Sequence, residues 1–179
     1  MQIRSIAVFC GSKTGSNPLF EDHTRQLGTL LAQQNITVIY GGGNKGLMGA
    51  IANSTLEAGG KVIGIIPKML SDLEHQHHGL TEITVVETMH IRKQMLYEKS
   101  DAAIILPGGY GTMDEVFEML TWNQLSIHDK KIFFMNSGGF YDHLIAHIHN
   151  MQHEDFLYGH PDEKMTVLKE PSDLLKYLH

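Results

Sequence analysis

Pro107-Gly108-Gly109-Tyr110-Gly111-Thr112-Met113-Asp114-Glu115 lies between an apolar run, Ala102 to Leu106, and an amphipathic helical pattern. The apolar run reads as a buried strand, so the segment is a strand–loop–helix junction. Three glycines within positions 108–111 let the backbone approach a ligand closely. Thr112 stands where a helix N-cap is expected. Unpaired N–H groups and the helix dipole would then face the loop and favour an anion such as phosphate. Glu115 follows one turn later. A phosphate cradle beside an acid points to chemistry on a phosphorylated small molecule. Thr112-x-x-Glu115 is also the spacing of a capping box, with Glu115 reaching back to the cap residue's own N–H. A helix needs only one cap and no run of glycines, which favours the binding reading.

Strand and helix patterns alternate on both sides of this junction. Strands are expected at Ser5–Phe9, Thr37–Tyr40, Val62–Ile66, Thr84–Val86, Ala102–Leu106, Ile132–Met135 and Met165–Leu168. Several are nearly continuous Val/Ile/Leu runs, as suits parallel strands covered on both faces. Between them, Phe20, Thr24, Leu27 and Leu31 share one helical face, as do Val116, Phe117 and Leu120, and Leu144, Ile145, Ile148 and Met151. The alternation predicts an α/β fold, a Rossmann-like, doubly wound and mostly parallel sheet of about seven strands with helices on both faces. Residues 1–179 are expected to form a single domain. Pro67 to Glu82 is the one long irregular segment, a lid or an interface loop.

In such a sheet, ligands bind beyond the carboxyl ends of the strands, at the switch in strand order. Cys10-Gly11-Ser12, Gly41-Gly42-Gly43-Asn44-Lys45-Gly46 and Gly108–Thr112 all fall at such ends. Gly41, Gly43 and Gly46 formally match G-x-G-x-x-G, but the next strand ends in Ile66-Pro67-Lys68, with no acid for a dinucleotide ribose. A tight turn that lets the helix Leu47–Glu57 pack on the sheet explains them better.

Composition removes several classes. Net charge is −6, from 14 basic and 20 acidic residues, which argues against broad nucleic-acid or anionic-membrane binding. The lone Cys10 fits a reducing compartment. No apolar run is long enough to span a bilayer, and the chain opens in a strand-like Ile3–Phe9 rather than a signal peptide, so a cytoplasmic protein is expected. Twelve histidines include i, i+4 pairs at His143/His147 and His149/His153, yet neither an H-E-x-x-H nor a cysteine pair is present, so no metal site is expected.

Met89-His90-Ile91-Arg92-Lys93-Gln94-Met95 opens another helix, with Arg92 and Lys93 near its start, where the dipole disfavours cations. Such local inconsistencies cluster at functional sites. A solvated basic pair balancing Glu87 and Glu98 is the alternative.

Together these residues resemble the Lonely Guy family, cytokinin-activating phosphoribohydrolases with bacterial relatives that cleave AMP. The family's P-G-G-x-G-T-x-x-E is present in full at Pro107–Glu115 and its M-x-x-R-K at Met89–Lys93. The resemblance extends through Cys10-Gly11-Ser12, Gly41-Gly42-Gly43, Gly46-Leu47-Met48-Gly49 and Trp122–Lys130. It implies hydrolysis of the N-glycosidic bond of AMP or an N6-modified, cytokinin-type purine nucleoside 5′-monophosphate, giving free base and ribose 5-phosphate. It implies catalytic roles for Arg92 and Glu115. Substrate contacts would come from Ser12, Gly43, Glu74, Met89, Lys93, Gly108, Gly109, Tyr110, Gly111, Thr112 and Thr121. Glu74 sits in an atypical setting, His75-Gln76-His77-His78. The resemblance also implies a homodimer with the site near its interface, and no cofactor. The older family label, putative lysine decarboxylase, finds no support, because a Schiff-base lysine with its phosphate and pyridinium partners cannot be assembled. The alternative is a non-catalytic carrier of a phosphorylated small molecule, since molybdenum-cofactor carrier proteins are similar in fold and glycine loops. A signalling-nucleotide sensor is a third reading.

Overall fold

The computed structural model describes residues 2–71 and 76–178. The strands are β1 (Ser5–Phe9), β2 (Thr37–Tyr40), β3 (Val62–Pro67), β4 (Glu82–Val86), β5 (Ala102–Ile105), β6 (Ile132–Met135) and β7 (Met165–Leu168). They form one seven-stranded sheet of order β4-β3-β2-β1-β5-β6-β7. All six strand pairings are parallel, so the sheet is wholly rather than mostly parallel.

Side chains alternate across this sheet with period two, and both faces are buried. Ile6, Val8, Ala102, Ile104, Phe133 and Met135 pack on one side, and Ala7, Phe9, Ala103, Ile105, Ile132 and Phe134 on the other. The helices are α1 (Pro18–Gln33), α2 (Gly46–Glu57), α3 (Lys68–Ser71), α4 (Met89–Glu98), α5 (Tyr110–Gln124) and α6 (Asp142–His153). Leu27 and Leu31 of α1, with Ile51 and Ala52 of α2, join the first core. Leu96 and Tyr97 of α4, Val116 and Met119 of α5 and Ile148 of α6 join the second. Phe117, expected on the buried face of its helix, is 39% exposed, because Val116 and Met119 take the sheet-facing positions instead.

Two helix starts are closed by their own side chains. Asn17 accepts from Leu19 N–H ahead of Pro18, and the Thr88 hydroxyl accepts from Ile91 N–H. Helices α2 and α5 have no side-chain cap. Thr112 is not the N-cap of α5: that place belongs to Gly109, and Thr112 is the third residue inside the helix. No capping box therefore forms at Thr112-x-x-Glu115.

From β1 the chain runs towards one edge of the sheet, and from β5 towards the other, so the order reverses between these neighbours. Their carboxyl ends open the crevice that a doubly wound sheet offers to ligands. Three loops are stitched together there, with Gly11 N–H donating to Pro107 C=O and Leu47 N–H donating to Gly11 C=O.

Candidate active site

The crevice holds a cleft of about 220 Å³ walled by the ends of β1 and β5 and the starts of α2, α4 and α5. The first turn of α5 supplies Tyr110, Gly111 and Thr112, whose N–H groups precede the first intrahelical bond, Met113 N–H to Gly109 C=O. A Cβ added at Gly109 or at Gly111 would meet nothing within 4 Å, and neither backbone has a positive φ. Nothing among the described residues therefore requires glycine at these two positions. They leave open space beside unpaired amide donors and the positive end of the helix dipole, a place suited to an anion. Thr112 folds back over Gly108, where a Cβ would lie 2.1 Å from the Thr112 hydroxyl.

One turn deeper, Glu115 Oε1 lies 3.6 Å from Arg92 Nη2 across the α4–α5 boundary. Each residue is only 7% exposed. Arg92 Nη1 also points at Met89 Sδ, 3.9 Å away. A buried cation and carboxylate thus sit side by side one turn below a helix start suited to an anion. That set can bind an anionic substrate and face charge of either sign as it develops.

A second layer fixes α4 against α5. Lys93 Nζ reaches both Asp114 Oδ2 and Glu118 Oε2 at 3.1 Å. Burial alone would lower the Lys93 ammonium, but the bonds to Glu118 and Asp114 outweigh it and hold it above its ordinary value. Tyr97 donates to the Glu115 main-chain carbonyl and lies 3.1 Å from the Glu118 carboxylate. Burial, reinforced by Glu118, pushes this phenol up, so it stays protonated.

Ser12, Met89, Arg92, Gly109, Tyr110, Gly111, Thr112 and Glu115 all line the cleft. Gly108 lines an adjoining cavity of about 330 Å³ that shares Gly11, Ser12 and Gly109 with it. Three expected contacts lie elsewhere. Gly43 is buried, accepting from the Tyr40 hydroxyl and bridging antiparallel to Gln76. Lys93 is occupied by Asp114 and Glu118. Thr121 is exposed on α5 beside a separate cavity between α5 and α6, its hydroxyl bonded to Phe117 C=O. Glu74 falls outside the described residues. Cys10, Gly11, Met48 and Asp114 also line the cleft; the sequence places each within a glycine loop or motif but marks none as a substrate contact. That placement was the available signal. Among the described residues, no group of three or more His, Cys, Asp or Glu is placed to hold a metal ion.

The family model described as possible lysine decarboxylase matches residues 48–178. The probable cytokinin riboside 5′-monophosphate phosphoribohydrolase LOGL1 of Oryza sativa subsp. japonica is 46% identical over 93% of this chain and 74% of its own. LOG2 of Arabidopsis thaliana, a cytokinin riboside 5′-monophosphate phosphoribohydrolase, is 43% identical over 87% of this chain and 73% of its own. The Rhodococcoides fascians enzyme of the same name is 38% identical, covering 93% and 85%. Among solved structures, the molybdenum cofactor binding protein of Rippkaea orientalis superposes with a TM-score of 0.72 at 23% identity, covering 98% of this chain and 95% of that one. The molybdenum cofactor carrier protein of Chlamydomonas reinhardtii gives 0.75 at 18%, covering 97% and 96%. At those identities the two structures share the fold alone.

Proposed function

The chain belongs to the family of the cytokinin riboside 5′-monophosphate phosphoribohydrolases, and from that premise we propose that it hydrolyses purine nucleoside 5′-monophosphates to free base and ribose 5-phosphate. It is a hydrolase acting on N-glycosyl bonds. The observation that carries this reading is the buried Arg92–Glu115 pair set one turn below the open, uncapped start of α5.

The 5′-phosphate rests on the free amides of the first turn of α5, where the helix dipole favours it. As the bond from C1′ to the base breaks, positive charge develops on the ribose, by analogy with glycoside hydrolysis. Glu115, as a carboxylate, faces that charge or the attacking water. Water's oxygen bonds to C1′, and one of its protons ends on the departing base. Arg92 supplies fixed positive charge and a planar donor fork to the phosphate or the leaving base. It stays charged, so its part is electrostatic and not that of an acid.

The finer reading is a single-domain, cytoplasmic homodimer acting on AMP or its N6-modified, cytokinin-type relatives, with the site close to the interface. Tyr110 at the cleft and Phe117 beside the separate cavity between α5 and α6, 97% and 39% exposed, share one face of α5, which suits a covering partner copy. Among the described residues no helix is long and apolar enough to cross a membrane. Chromatography of products from AMP and from isopentenyl-AMP tests the activity. Free base from wild type, absent with Glu115→Ala and Arg92→Ala, is the expected result. Tight nucleotide binding without free base would support the carrier or sensor reading instead.

A further inference from the structure

The three glycines that end β2 serve different ends. Gly42 has φ +80° and closes the turn. Gly43 offers its carbonyl to the Tyr40 hydroxyl and pairs with Gln76. Gly41 is buried and has no positive φ, so its backbone conformation does not call for glycine. Its constraint comes from outside the loop. A Cβ at Gly41 would lie 2.1 Å from Arg92 Nη2, 3.2 Å from Arg92 Cζ and 3.4 Å from Met48 Sδ. The missing side chain leaves the space that the Arg92 guanidinium fills.

We infer that Gly41 is a positioning residue for Arg92: by having no side chain it lets the guanidinium lie against the end of β2 and reach Glu115. Among the described residues, Arg92 Nε is buried and makes no hydrogen bond, and the guanidinium is met by Glu115 at 3.6 Å and the thioether of Met89 at 3.9 Å. A methyl group at position 41 meets the far end of a flexible side chain and not backbone. The collision is relieved by moving the guanidinium roughly 1.5 Å, to ordinary van der Waals separation, with the loop left in place. A displacement of that size at a charge-stabilising group costs on the order of 100-fold in rate.

The inference rests on the hydrolase reading, because it needs Arg92 to act on substrate. Its test is a double-mutant cycle on nucleotide hydrolysis with Gly41→Ala, Arg92→Ala and the pair. Gly41→Ala is expected to lower kcat/KM about 100-fold. Added to Arg92→Ala, it is expected to change the residual kcat/KM less than about twofold, since nothing is left to displace. Wild-type kcat/KM in Gly41→Ala, or an equal further loss in the Arg92→Ala background, overturns the inference. If Gly41→Ala does not fold, recovery of folding in the pair supports the inference, and failure of both overturns it. A crystal structure of Gly41→Ala separates this from the functional reading. Arg92 drawn away from Glu115 is the expected result, and Arg92 unmoved overturns the inference whatever the activity. Wild-type protein inactive on both nucleotides sinks the functional reading alone.

Discussion

Glu115→Gln keeps the size of the side chain and much of its hydrogen bonding while removing its charge. Because Glu115 is the sixth residue of α5 and not a capping position, helix capping does not account for it. Turnover in this variant is expected to fall about 10²–10³-fold, the usual cost of losing one electrostatic stabiliser. Nucleotide binding, measured by calorimetry, is expected to persist. Arg92 then keeps its buried charge without a full partner, so a loss of up to about 3–5 kcal/mol in thermal or denaturant unfolding accompanies the change. Gly111→Ala is expected to separate affinity from stability. The added methyl meets nothing within 4 Å and removes a glycine from a helix, so stability should hold or rise by up to about 1 kcal/mol. The same methyl intrudes on the anion space, so KM should rise. Unchanged KM would remove the phosphate from this loop.

At the scale of elements, the site depends on α4 and α5 staying in register. Tyr97→Phe removes the bond to the Glu115 carbonyl and the contact with Glu118, at about 1 kcal/mol, and is expected to lower kcat more than it raises KM. A second joint lies behind the cleft. His77 Nδ1 accepts from Gly79 N–H, so its proton sits on Nε2, directed at Asn53 Oδ1 of α2, while the His77 N–H donates to Gly42 C=O. Burial, then the neighbouring His78, holds this imidazole below its ordinary value of 6.5. Its contribution is therefore complete above pH 6.5 and is lost as pH falls through the lower folded value. Hydrogen exchange at residues 76–80 should quicken as pH falls below 6.5 beyond the change in intrinsic rate, and His77→Gln should flatten that extra dependence.

The strands were legible because each is a short, largely apolar run, and in the central ones a period-two alternation fills two cores at once. All seven expected strands form, with ends shifted by no more than two residues. The start of α5 was misplaced because Thr112 resembles a cap, while the real N-cap, Gly109, carries no side-chain signal. Phe117 was misplaced because adjacent apolar residues cannot both face the sheet, and periodicity alone does not choose between Val116 and Phe117. Of the site, the signature residues on α4 and α5 were legible from spacing. The parts played by Gly41 and Met48 within their loops were not, because these lie in what the residues touch across the fold and not in their own chemistry.

At the scale of the whole molecule, one sheet brings together residues from positions 10 to 115 at the point where strand order reverses. An exposed face of α5 runs from Tyr110 at that point to Phe117, with Leu125 and Ile127 beyond its end. If a second copy covers it, sedimentation will report a dimer, and Phe117→Asp will shift it towards monomer with a weaker site. A monomeric wild type would remove the interface from the account.

The most direct test of the central claim is product chromatography of wild type, Glu115→Gln and Arg92→Ala, each incubated with AMP and with isopentenyl-AMP. The account predicts free base and ribose 5-phosphate in equal amounts from wild type, with both falling together at least about 100-fold in either variant. Folded wild-type protein that releases no base from either nucleotide, or variants that release it at the wild-type rate, would contradict the account.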